Sequence, residues 1–311
     1  MSKICIRYSL AISVAFSIAL SLGATLGLAQ DAVRKSTLQP AAVDTSRLVV
    51  AGGALTEILY ALGIQNRIVA VDSTSQFPAE ALQTKKNVGY MRALSAEGVL
   101  SMNPSAILAS DKAGPPEVVK ALKQSTVPYF ELDDRPAPEA LVARVKALAA
   151  LTNVVPTGDA LATSIEQDFS ALNKARSLIK TPQRVLFILS LQNGRAMVGG
   201  RDTAGHSMIE LAGGVNAAAA VDGFKAVTEE ALLEMNPDAI VIMDRAGQAS
   251  IRDQILNHNG VRTTAAGRSG RIIEMDGLYL MGFGPRAPAA ARDLMRALYP
   301  TLKAELQSSI Q

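Results

Sequence analysis

Apolar positions along the chain fall into two alternating periods. Short apolar runs near 47–51, 67–71, 106–110 and 128–132 read as strands, with stretches of helical spacing near 54–63, 94–102, 115–124 and 137–151 between them. The pattern then resumes with strands near 184–190, 239–243 and 271–275 and helices near 203–213, 228–235, 249–257 and 286–307. Such alternation predicts an α/β fold whose parallel sheets are covered on both faces.

The chain also resembles itself. At an offset of 133 residues, Ser95-Ala-Glu-Gly-Val-Leu-Ser-Met-Asn-Pro-Ser-Ala-Ile-Leu, ending at Leu108, lies over Thr228-Glu-Glu-Ala-Leu-Leu-Glu-Met-Asn-Pro-Asp-Ala-Ile-Val, ending at Val241. Each copy sets a Ser or Thr at a helix start, Glu in the first turn, Asn-Pro as the stop, and then an apolar strand. The match continues in Asp111-Lys112-Ala113-Gly114 against Asp244-Arg245-Ala246-Gly247. A period this long exceeds the roughly 20–50 residues of a solenoid unit and fits the spacing of two similar lobes.

Between the copies, Pro156-Thr157-Gly158-Asp159 precedes Leu161, Ile165, Phe169, Leu172 and Leu178 at helical spacing. That stretch reads as a single helix joining the lobes; one more surface helix of a single domain is the alternative. The expected organisation is a signal peptide over 1–29, an extension over 30–46, an N-terminal lobe over 47–155, a connecting helix over 156–180 and a C-terminal lobe over 181–311. A stiff connector limits opening. Ligands of open α/β sheets sit beyond the carboxyl ends of the strands, so a cleft is expected between the lobes.

Lys3 and Arg7 precede an uncharged apolar run from Tyr8 to Leu28, and polar sequence begins at Ala29-Gln30-Asp31. Basic, apolar and small residues in that order read as a cleaved secretory signal, although the run is also about long enough for a membrane anchor. Cys5, the only cysteine, precedes the run and so cannot be the lipid-bearing residue of a lipoprotein. Losing Lys3 and Arg7 from the 31 basic residues leaves 29 against 28 acidic ones, which removes the electrostatic case for nucleic acid. Gly282-Phe-Gly-Pro-Arg-Ala287 spells a dinucleotide fingerprint, yet too little chain follows for a βαβ unit. No nucleophile elbow, phosphate loop or His-Glu-x-x-His occurs, which points to binding and not to an enzyme.

Val88-Gly89-Tyr90-Met91-Arg92-Ala93-Leu94-Ser95-Ala96-Glu97-Gly98 and Gly282-Phe283-Gly284-Pro285-Arg286, together with both lobes of the repeat, carry a resemblance. Over essentially the whole mature length the chain resembles the periplasmic binding proteins of ABC importers for iron complexes and cobalamin, and within them the haemin binders. The resemblance implies a monomeric, exported protein that hands haemin to an inner-membrane permease and its ATPase. It also implies that Tyr90 is the axial ligand of the haem iron. A phenolate is a hard oxygen donor suited to ferric iron, and Arg92, sharing a face with Tyr90 if the segment is extended, is a candidate cation to favour it. On the residues alone, Tyr90 reads first as a half-buried ring packing at a lobe rim.

His206, in a glycine-rich loop entering a helix, is a candidate second-lobe haem contact or a surface residue, whereas His258 reads as solvated. Arg201, Lys112, Arg245 and Arg286 are candidates for the propionates, and Tyr279, Met281 and Phe283 for apolar walls, though core and surface duties suit each of them too. Related binding proteins dock a glutamate from each lobe on their permease. The repeat puts Glu97 and Glu230 at matching positions, which also suit helix N-termini. A ferric siderophore or cobalamin is the alternative ligand, and a periplasmic haem carrier or sensor uncoupled from transport is the alternative role. The chain holds no Trp for a siderophore site.

Overall fold

The computed structural model describes residues 43–244 and 250–302; the expected signal peptide and Arg245 lie outside the described residues. The first lobe runs β1 (Leu48–Ala51), α1 (Gly53–Ala61), β2 (Ile68–Val71), α2 (Glu80–Thr84), β3 (Lys86–Asn87), α3 (Ala96–Leu100), β4 (Ala106–Ser110), α4 (Pro116–Lys123), β5 (Tyr129–Leu132) and α5 (Pro138–Leu151). Its strands form an all-parallel sheet in the order β3-β2-β1-β4-β5. Consecutive residues of β1 and β4 are all buried, as a sheet covered on both faces requires.

One helix, α6 (Val155–Arg176), leads to the second lobe. Pro156-Thr157-Gly158-Asp159, expected to open the connecting helix, lie in its first turn, where proline is tolerated because the N–H it lacks has no helical partner there. A Cβ on Gly158 would stand 2.1 Å from the Ala149 Cβ, so glycine permits the close approach of α5 and α6.

The second lobe runs β6 (Arg184–Gln192), β7 (Arg195–Gly199), α7 (Ala204–Leu211), β8 (Val215–Asn216), β9 (Phe224–Val227), α8 (Glu229–Met235), β10 (Ala239–Asp244), α9 (Arg252–Leu256), α10 (Asn259–Arg262), α11 (Ala265–Ser269), β11 (Ile272–Asp276), α12 (Gly277–Met281) and α13 (Ala287–Leu298). Strands β11, β10, β6 and β8 are parallel, as expected, but β7 and β9 add antiparallel pairs. The cause is the Asn193-Gly194 turn, both residues at positive φ, which reverses the chain as a two-residue hairpin does. The last helix ends at Leu298, short of the expected 307.

Alternation along the strands divides the core. Leu48, Val50, Ala106 and Leu108 of one sheet and Val185, Phe187, Ala239 and Val241 of the other join one cluster that continues through α5, α6 and α13. The intervening residues, Val49, Ala51, Ile107 and Ala109 in one lobe and Leu186, Ile188, Ile240 and Ile242 in the other, face separate outer clusters. The lobes therefore share a continuous apolar core behind the cleft.

Candidate ligand-binding cleft

The carboxyl ends of the two sheets meet. Where β1 passes into α1, a Cβ on Gly53 would lie 2.9 Å from Leu278 Cδ1 of α12, the helix that follows β11. Beside this junction Asp72, fully buried, organises the loop after β2. Its carboxylate accepts from Gly52 N at 2.9 Å, Thr74 N at 2.8 Å, Thr74 Oγ1 at 2.7 Å and Ser75 Oγ at 3.1 Å. Four donors compensate a buried carboxylate and fix the loop.

That loop in turn holds the segment carrying Tyr90. Ser73 N donates to Gly89 O at 2.8 Å, Val88 N to Val71 O at 3.0 Å and Gly89 N to Asn87 Oδ1 at 2.8 Å. On the other side Leu94 N donates to Gly114 O and Gly114 N to Met91 O, both at 2.9 Å, stitching the segment to the turn after β4 that bears Lys112. Gly89 has φ +93, a conformation costly for any residue with a Cβ. From this fixed backbone the Tyr90 side chain projects 47 % exposed.

Tyr90 through Ala93 form a turn closed by Ala93 N donating to Tyr90 O at 2.8 Å, so the extended geometry expected to align Arg92 with Tyr90 is absent. Arg92 is exposed on the same turn, and no hydrogen bond or ion pair engages its guanidinium among the described residues. Lys112 is exposed too, its Nζ 3.8 Å from Asp111. The structure thus brings Tyr90, Arg92 and Lys112 onto two stitched loops of the first lobe.

The second-lobe candidates are arranged differently. Arg286 does not stand free for a propionate: its backbone N, Nε and Nη2 all donate to the buried carboxylate of Glu57. Phe283, expected as a cleft wall, is instead a core residue, 1 % exposed and packed in the apolar cluster shared by the lobes. Met281 and Tyr279 are half-buried against the same core, and the Tyr279 hydroxyl donates to Asp293 Oδ2 at 2.9 Å. Burial, then the Asp293 carboxylate, push the Tyr279 phenol up to about 12. Arg201 pairs with Asp222 at 2.7 Å.

His206 Nδ1 lies 3.2 Å from Asn216 Nδ2, and its Nε2 lies 3.4 Å from Glu210. Asn216 belongs to β8, which pairs with the first residues of β6, at the sheet end opposite the cleft. His258 is buried and not solvated; its Nε2 is 2.7 Å from Gly194 O, tying the hairpin to the α9–α10 turn.

The repeated unit holds to its detail. Ser95 Oγ accepts from Gly98 N and Thr228 Oγ1 from Ala231 N, each capping its helix, and Asn103 and Asn236 both stop theirs at positive φ. Glu97 and Glu230 are exposed as the second residues of α3 and α8. Backbone and Thr228 hydrogen bonds hold the Glu230 carboxyl below the usual range, so it stays charged.

Two α/β lobes facing each other across their strand ends, joined by one long helix and presenting an aromatic and two cations at the rim, define a two-lobed ligand-binding protein. The chain belongs to the periplasmic binding protein family, whose sequence model matches residues 48–278. Among solved structures it is similar to the apo periplasmic haem-binding protein RhuT from Roseiflexus sp. RS-1, with 34 % identity, TM-score 0.76, and coverage of 86 % of this chain and 100 % of that one. A periplasmic haem-binding protein from Pseudomonas aeruginosa gives 35 % identity, TM-score 0.74, and coverage of 82 % and 93 %. A vitamin B12-binding protein of Pectobacterium atrosepticum is 24 % identical over 60 % of this chain and 67 % of its own length.

Proposed function

We propose that this protein captures haemin in the periplasm and delivers it to an ABC permease and its ATPase in the inner membrane, acting as a stoichiometric binder without turnover. The observation that carries the reading is Tyr90, a phenol held out from a backbone fixed on both sides, at the carboxyl end of the first sheet. Tyr90 supplies an anionic oxygen to ferric iron. Arg92 and Lys112, on the two loops stitched around it, supply positive charge to the phenolate and to the propionates. The half-buried Tyr279 and Met281 offer apolar surface from the second lobe. Likeness to the haem-binding structures supports the ligand, and Glu97 and Glu230 are the docking contacts. Export follows cleavage of the 1–29 signal, which N-terminal sequencing of the periplasmic protein checks.

Equilibrium titration of the protein with haemin and, separately, with cobalamin tests the ligand. Saturable one-to-one or two-to-one binding of haemin supports the proposal. Tight binding of cobalamin with none of haemin replaces it with the reading favoured by the vitamin B12-binding relative.

A further inference from the structure

The lobes meet through a cluster of charges that ligand capture leaves unused. Glu57 in α1 of the first lobe is 5 % exposed. Its carboxylate accepts from Arg286 of the second lobe three times: from the backbone N at 3.1 Å, Nε at 3.0 Å and Nη2 at 2.9 Å. The guanidinium fork matches the carboxylate bidentately, the strongest geometry for such a pair. Arg286 Cζ also lies 3.5 Å from the ring centroid of Phe77 in the first lobe and 5.1 Å from that of Tyr279 in the second. Gly284 leaves the room this requires, since a Cβ there would stand 3.0 Å from the Glu57 carboxyl carbon.

A second arginine crosses in the opposite direction. Arg144 of α5, 2 % exposed, donates through Nη2 to Phe283 O of the second lobe at 2.9 Å. Its Nη1 stays at home, on Asp134 Oδ1 at 2.6 Å and Asp133 O at 2.8 Å. Each lobe therefore inserts a guanidinium into the other.

We infer that Glu57, Arg286 and Arg144 form an interlobe latch that fixes the aperture of the cleft, making Glu57 and Arg286 positioning residues for ligand selectivity. Separating the lobes would strand a buried carboxylate and take a buried guanidinium off its acceptor, a costly state for either charge. Behind the latch the shared core through α5, α6 and α13 resists a hinge opening. Rigid walls at constant spacing suit a flat, stiff macrocycle and penalise a bulkier ligand. The ligand consequence rests on the haemin reading; the latch itself does not.

The test is pulsed dipolar spectroscopy on the full chain carrying Cys5→Ser, with spin labels at Lys120→Cys in α4 and Glu234→Cys in α8. The latch predicts one narrow distance that haemin shifts by no more than about 2 Å. Glu57→Gln broadens the distribution and raises haemin dissociation about tenfold, Arg286→Lys does so less, and both keep the iron spectrum set by Tyr90. Phe77→Ala removes an exposed ring from the stack, so it remains informative if Glu57→Gln fails to fold; it also broadens the distance and speeds release. Distances and release rates unchanged in both Glu57→Gln and Phe77→Ala, with only a lower Tm, would overturn the latch. So would a wild-type distance that haemin moves as far as the substitutions do. Failure of the wild type to bind haemin would sink the haemin reading and leave the distance result standing.

Discussion

A phenol ligates iron as its anion, and with an ordinary pKa near 10 it needs the metal and a cation to reach that state at neutral pH. In the proposed site Arg92, exposed two residues from Tyr90 on the same turn, is the residue assigned that work. Arg92→Ala should weaken haemin binding about tenfold, or ~1.4 kcal/mol, in an absorbance titration; unchanged affinity would remove it from the site. Tyr129 and Tyr279 are opposite cases, phenols that burial and neighbouring carboxylates push up to about 12. Both folded values lie above the unfolded value near 10. Their neutral forms therefore contribute stability present below pH ~10 and lost as pH rises toward ~12. Urea midpoints measured across that window should fall, and absorbance should show Tyr129 and Tyr279 among the late-titrating phenols, with Tyr60 and Tyr299 also raised by burial. At this scale the sequence was only partly readable. Gly284-Pro285-Arg286 marks an arginine at a turn, but nothing local reveals that its partner is Glu57, 229 positions away. His258 follows Asn257 in polar sequence, yet folding brings it against Gly194 and buries it.

Helices and strands with strong periodicity or capping residues were legible from sequence, as in α1, β4, α5 and both copies of the repeat. Elements too short to show a period, such as β3 and β8 with two residues each, leave no such trace in the sequence. Asn193-Gly194 is a strong hairpin signal, and it converts part of an otherwise parallel sheet into an antiparallel ribbon. Gly194 has φ +73 with open space around its missing Cβ, so Gly194→Ala tests backbone strain alone. It should lower the unfolding free energy by about 1–2 kcal/mol, with an unchanged denaturant slope. Gly158 tests packing instead. Alanine there gains helix propensity of about 1 kcal/mol, but its methyl collides with Ala149 at 2.1 Å. Overpacking costs about 1–3 kcal/mol, so Gly158→Ala should destabilise on balance. A rise in Tm would contradict the tight α5–α6 contact.

Across the whole molecule, one helix, a continuous apolar core and two crossing arginines join lobes that carry equivalent glutamates on their exposed faces. The repeat in the sequence disclosed the two lobes because it preserves helix caps and stops; the junction between them was illegible because it joins α1 and α5 to the turn before α13. Reversing charge at Glu97 and Glu230 together should abolish haemin uptake by cells while leaving haemin affinity unchanged, since both side chains are exposed. Unchanged uptake would deny them a docking role. In the proposed complex the molecule holds haem iron through Tyr90. That ligation is tested most directly by visible absorption titration of the purified protein with ferric haemin, wild type beside Tyr90→Phe. Ligation through Tyr90 predicts a saturable ferric-tyrosinate spectrum in the wild type that is absent from the substituted protein. The same spectrum in both would contradict it.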